Sequence, residues 1–139
     1  MVLSLVPLWH YRVIYLKCLH IIVELYGGMT VPILHLTSIV CGKTEDYTGK
    51  DDVYITVKGK TVWEDRMDTS RPDNAKSIGT EHPFTRKARI DLWEEDSGNW
   101  DDDDHLGRTY AYAEQADKGE QYYTFRGCGA KYRLTYEVK

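Results

Sequence analysis

The sequence predicts an all-β fold, an antiparallel β-sandwich of about seven to eight strands. Three observations point there. Short segments of alternating hydrophobicity recur along the chain and are separated by Gly, Pro, Asn and Asp clusters. Tyr and Trp are abundant, 11 and 4 against 2 Phe, and aromatic residues at that density favour pleated, half-buried surfaces. Only residues 113–118 (AEQADK) are helix-competent, and they suffice for no more than one to two turns.

The strands follow in order. Residues 31–40 (VPILHLTSIV) form the first, bounded by Pro32 and Gly42. Residues 41–52 make a polar loop, with Gly42 and Gly49 as turn residues. In VYITVKG, residues 53–59, Val53, Ile55 and Val57 share one face, while Tyr54, Thr56 and Lys58 share the other. Gly59-Lys60 turns the chain into a short strand over residues 61–63. Residues 64–74 are polar, aperiodic and contain Pro72, so they read as a loop. Residues 76–80 form a short strand, which Pro83 keeps from being a continuous central one. In residues 88–93, Ala88, Ile90 and Leu92 face the core. After an acidic loop come strands over residues 108–112 and 121–126, a turn over 127–129, and a closing strand over 131–138. In that last strand Tyr132, Leu134, Tyr136 and Val138 share a face.

A chain of 139 residues suits one domain with a real core. The hydrophobic fraction of 42% and charged fraction of 29% place it among globular proteins. Residues 1–28 differ from the rest, being apolar with only Arg12, Lys17 and Glu24 charged. They hold no uninterrupted run of the ~18 apolar residues a membrane span needs. Their charges fall inside the apolar stretch and not before it, unlike a secretory signal. Residues 1–28 are therefore expected to be an appendage or an upstream start-codon extension, with a poor membrane anchor as the rival reading, and residues 29–139 the sandwich. A soluble domain, cytoplasmic or peripheral to a membrane rather than secreted, is the expected setting. Cys18, Cys41 and Cys128 show no CxxC spacing, which argues against a zinc site of the usual kind. Cys41 and Cys128 lie near strand ends and are read as separate thiols, with pairing as the alternative.

Net charge is −4, and its acids are clustered. No basic face suited to nucleic acid is visible, and the one dense basic group (Arg86, Lys87, Arg89) is read as a solvated face. The acids gather in two loops, each following a strand. The first holds Glu45, Asp46, Asp51 and Asp52. The second runs from Glu94 to Asp104 with seven carboxylates and no basic residue. Neighbouring carboxylates repel and raise one another's pKa. A hard divalent cation relieves that strain, and Ca²⁺ takes about 6–8 oxygen ligands. With no His–Cys cluster alongside, calcium suits these oxygens better than a transition metal. Starting an EF-hand at Asp96 fails, because Gly98 and Trp100 fall where ligands are required. CGKT does not have phosphate-loop spacing, and neither GxSxG nor HExxH occurs. The five His are scattered, and His35 is read as structural. Glycoside chemistry by Glu94 and Asp96 finds no sugar groove to support it. The expectation is a binding module and not an enzyme.

The two loops resemble those of the C2 domain, a calcium-dependent membrane-binding β-sandwich. That family's first loop has an Asp, a Gly-containing turn, then Ser-Asp-Pro-Tyr-Val. In EDYTGKDDVYITV, Asp46 and Asp52 match its two Asp residues and Tyr54 its Tyr, while Val53 replaces Pro. The later loop reads apolar–x–Asp–x–Asp, then Asp–apolar–x–Gly. LWEED supplies Glu94 and Asp96, and DHLG supplies Asp104 and Gly107. Glu94 stands in place of Asp, His105 stands where an aromatic is frequent, and the loop is longer than is common. The resemblance covers residues 33–107 by motif and the remainder by pattern. It implies Ca²⁺ ligands at Asp46, Asp52, Glu94, Asp96 and Asp104, with Asp102 in addition. It also implies a membrane-contact role for Trp100 and Tyr47, an anionic membrane surface or a partner protein being the target. The alternative for Trp100 is to fold back and pack over the loop. Two rival functions stay open: a domain in which calcium is purely structural, and a metal-free interaction or inhibitor domain whose acidic patch meets a basic partner.

Overall fold

The computed structural model describes residues 30–47, 49–96 and 102–139. Residues 1–28, read above as an appendage, lie outside the described residues. Val31–Lys139 forms one compact unit. It contains β1 (Ile33–Lys43), β2 (Lys50–Val57), β3 (Lys60–Asp68), β4 (Ala75–Pro83), β5 (Lys87–Glu94), β6 (Asp104–Tyr112), β7 (Gln121–Phe125) and β8 (Lys131–Val138). These build two four-stranded antiparallel sheets, in the orders β4-β1-β8-β7 and β3-β2-β5-β6. The antiparallel sandwich expected from the sequence is the fold observed.

The core lies between the sheets and follows the period-2 alternation of each strand. Val53, Ile55 and Val57 of β2, Ala88, Ile90 and Leu92 of β5, and Tyr132, Leu134, Tyr136 and Val138 of β8 are all buried. Each large apolar side chain so buried contributes about 1.5–3 kcal/mol against exposure. In β1 the alternation changes phase: Leu34 and Leu36 are buried, then Ile39 and Cys41. A bulge between Leu36 and Ser38 accounts for it, since one extra residue moves the following side chains to the other face.

Three expectations change. β3 is nine residues long, covering the first part of the stretch read as a loop. It is an edge strand, and only Met67 of it is buried. With little to bury, its sequence shows no apolar period, and β2 pairs with it from Lys50↔Asp68 to Val57↔Lys60. β4 is likewise an edge strand, longer than expected, and Pro83 closes it. The β2–β3 turn consists of Lys58 and Gly59, both at positive φ (53° and 82°), one residue earlier than expected. That two-residue geometry matches the twist of the paired strands. The helix-competent stretch forms a single 3₁₀ turn, Ala113–Gln115. Cys41 is buried, Cys128 is exposed, and both are free thiols.

At one flank β6 and the β7–β8 turn come into backbone contact. Gly127 N–H donates to the Leu106 carbonyl at 2.8 Å. A Cβ on Gly127 would collide with that carbonyl, closer than any real contact. Gly127→Ala is therefore expected to separate the two chain segments and cost about 1–3 kcal/mol. Urea unfolding checks this, and an unchanged midpoint would contradict it.

Candidate metal centre

Antiparallel order places the β1–β2, β3–β4, β5–β6 and β7–β8 connections at one end of the sandwich. The start of β2 meets the end of β5 (Val53↔Glu94), and the end of β5 meets the start of β6 (Glu94↔Asp104). The two acidic loops are thereby neighbours.

Asp51 shares the inward face of β2 with Val53 and Ile55 and is 0% exposed. A carboxylate taken out of water must be hydrogen-bonded. The β1–β2 loop folds over to meet that need. Asp51 Oδ2 accepts the Glu45 N–H at 2.8 Å, and Oδ1 accepts the Asp46 N–H at 3.0 Å. From β8 the Tyr132 hydroxyl donates to Oδ2 at 2.5 Å. Burial first, and then this bond to Asp51, raise the Tyr132 phenol far above its ordinary pKa. The loop so anchored brings carboxylate oxygens of Asp46, Asp51 and Glu94 within 4.8 Å of one another.

Glu94 ends β5 and is 3% exposed. Its Oε2 is buried, and no hydrogen-bond donor among the described residues reaches it. Burial pushes its pKa up to about 8, and the charges of Asp96, Asp51 and Asp46 add to the shift against a partial offset from the Asp52 N–H. Glu45 at the rim is raised too, by burial and then by Asp104, Asp46, Asp51 and Asp96. Cys128, on the β7–β8 turn, is raised by burial and by Asp104, Glu45 and Asp96, and its thiol bonds Asp104. Asp96 and Asp104 thus face the same acidic mouth as Glu45.

The six carboxylates expected as ligands are placed unequally. Asp46 and Glu94 stand together. Asp96 and Asp104 act on the rim through their charge. Asp102 is exposed. Asp52 points to the outer face, where Arg66 Nε and Nη2 hold its two oxygens at 2.8 and 2.7 Å. The inward place belongs to Asp51, its neighbour in the strand. The motif match selected Asp52; carrying the alternation of Val53, Ile55 and Val57 two residues back, into what was read as loop, is the signal that would have found Asp51. Tyr132 gave no sequence signal beyond its place on a buried face. Of the two membrane-contact candidates, Tyr47 is fully exposed on the first loop, and Trp100 lies outside the described residues.

The descending limb of the second loop is held from the outer face. Tyr54, Trp93 and His105 form an aromatic row across β2, β5 and β6, with ring centroids 6.2 and 4.4 Å apart. The Tyr54 hydroxyl donates to Asp103 Oδ2 at 2.6 Å, and burial with this partner raises the phenol to about 12. His105 Nε2 lies 2.9 Å from Asp91 Oδ1, and the buried Asp91 also binds Arg108 at 2.6 Å and Arg89 at 3.0 Å. The basic group noted in the sequence gathers elsewhere. Lys87 and Arg89 join Lys58 and Tyr110 around an open depression of about 360 Å³, beside the β2–β3 turn and away from the acidic loops.

Fold and loop geometry together define an all-β sandwich with one acidic, loop-bearing end. Its architecture is similar to that of C2 domains. A solved C2 domain matches 79% of this chain and 99% of its own at 15% identity, with a TM-score of 0.48. A C2 domain of plant extended synaptotagmin 1 matches 77% and 90% at 12% identity, TM-score 0.48. Human GIVD cytosolic phospholipase A2 matches 77% of this chain over 15% of its own length, at 10% identity and TM-score 0.46. No protein-family model matches the sequence, and no curated protein matches it. No helix among the described residues is long and apolar enough to cross a membrane.

The raised Glu94 carboxyl gives a signed pH dependence. Its folded pKa of about 8 lies above the ordinary 4.5, so the folded state keeps a proton that the unfolded state releases in between. This group's contribution to stability is present at acid pH and is lost as pH rises through that window. With chelator present, the melting temperature is expected to carry a downward component between pH 5 and 8 that Glu94→Gln removes. Parallel profiles for the two proteins would contradict the assignment.

Proposed function

We propose that this chain is a calcium-binding module in which Asp46, Asp51 and Glu94 supply the inner ligands, with Asp96, Asp104 and Asp102 closing the site from the second loop. The observation that carries this reading is Glu94. Its buried Oε2 has no donor among the described residues, and its carboxylate converges with two others within 4.8 Å. Burial and the crowding of the three carboxyls keep a proton on Glu94, whose pKa is pushed up to about 8, and a divalent cation would displace that proton and draw the three groups together. The inner ligands are all oxygens, the preference of a hard ion, and Ca²⁺ tolerates the irregular geometry of two loops. The Asp52–Arg66 pair leaves Asp52 as a holder of the β2–β3 edge. The role is recognition rather than catalysis.

Occupancy would discharge the acidic end of a protein whose net charge is −4. Tyr47, fully exposed beside Asp46, would then meet an anionic membrane or a partner protein without the repulsion of bare carboxylates. This is the targeting reading, and it agrees with the membrane-binding family that the loop motifs resemble. A structural-ion reading draws on a different fact: Asp51 and Glu94 are buried, so any ion they hold stabilises the native state by mass action.

Calorimetric calcium titration tests the common element. Wild-type protein is expected to bind, and Glu94→Gln to lose at least about tenfold in affinity, as removal of a charged ligand implies. No heat, together with a melt indifferent to calcium and to EGTA, would end the metal reading. Co-sedimentation with phosphatidylserine vesicles separates the rest. Targeting predicts calcium-dependent binding weakened by Tyr47→Ala, whereas a structural ion predicts a raised melting temperature and no vesicle binding.

A further inference from the structure

We propose that Tyr132, a core residue of β8, is the positioning residue of this cation site; the inference rests on the calcium reading above. Tyr132 is 0% exposed and 81 positions from Asp51 in sequence. Its hydroxyl and the Glu45 N–H both donate to Asp51 Oδ2. Two donors fill the two lone-pair directions of that oxygen. Among the described residues Oδ1 takes one donor, the Asp46 N–H, which leaves its second direction to an ion. Tyr132 thus decides which oxygen of Asp51 is offered to the cation and fixes the carboxylate plane toward Asp46 and Glu94.

The phenol is itself held in place. Tyr132 faces Cys41 in the β1–β8 register, and the Cys41 thiol is hydrogen-bonded to it. The ring is packed among fully buried apolar side chains. The site therefore reaches from the loops through Asp51 to the loop end of β1 and β8, the two inner strands of the sheet β4-β1-β8-β7. Partners that orient a metal-ligating carboxylate commonly account for about 10–100-fold in metal affinity. The same bond also serves the fold, because it satisfies a buried carboxylate, so ion affinity and stability must be read side by side.

The test compares wild type, Tyr132→Phe and Val138→Ala by calcium calorimetry, with melting temperatures in EGTA measured in parallel. Tyr132→Phe keeps the ring and removes the donor, so calcium affinity is expected to fall about 10–100-fold. Val138→Ala opens a cavity at the far end of β8, where Val138 pairs with Leu34, six residues from Tyr132. It is expected to lower the melting temperature while leaving affinity within about threefold, as a cavity away from the ligands should. Equal affinity in Tyr132→Phe and wild type, or an equal loss in both variants, overturns the positioning role and leaves the calcium reading standing. A wild-type protein that binds no calcium overturns both. As a measurement on wild type alone, proton NMR should show the Tyr132 hydroxyl as a slowly exchanging resonance that shifts on calcium addition. A hydroxyl resonance indifferent to calcium that saturates the protein counts against the proposal.

Discussion

The loop end of this sandwich depends on a carboxylate that cannot face water. Asp51 follows the alternation of β2 into the interior, where its charge must find donors. Two come from the backbone of the first acidic loop and one from Tyr132 on the opposite sheet. Satisfying Asp51 therefore folds the loop, joins the two sheets and draws Asp46 beside Glu94. What it does not satisfy is Glu94, whose buried Oε2 has no hydrogen-bond donor among the described residues. The same constraint that orders the loop gathers the three carboxyls on which the proposed cation site rests.

Most of the fold was legible because its central strands bury one face. Val53, Ile55 and Val57, then Ala88, Ile90 and Leu92, then Tyr132 to Val138 declare their strands and their inward sides. Legibility fails at the edges. β3 carries Glu64, Asp65 and Arg66, and its pairing is supplied by β2 rather than announced by its own side chains. The bulge in β1 was invisible for a related reason, since Thr37 and Ser38 carry no apolar signal that marks the change of phase.

The candidate site was legible as two acidic loops of one sandwich, and its detail was not. Motif matching favoured Asp52, which the structure turns outward to Arg66; Asp51 was passed over because the strand was expected to begin only at Val53. Strand parity reports where a side chain must point, whereas the motif reports only a residue type at a spacing. Neither rule reveals Tyr132, because a hydroxyl at the tip of a core ring reaches across sheets only after the fold has formed. The charges divide similarly. The acids meet at one end, while Lys58, brought by a turn, joins Lys87 and Arg89 at another place on the surface.

Asp46, Asp51 and Glu94 are proposed to converge on one cation. A crystal grown with calcium replaced by a lanthanide would locate the ion by its anomalous scattering. The account predicts a peak about 2.3–2.6 Å from an oxygen of each of the three carboxylates, the range of Ca²⁺–oxygen bonds. A peak bound only by Asp102 and Asp104, or ordered crystals with no peak between Asp51 and Glu94, would contradict it.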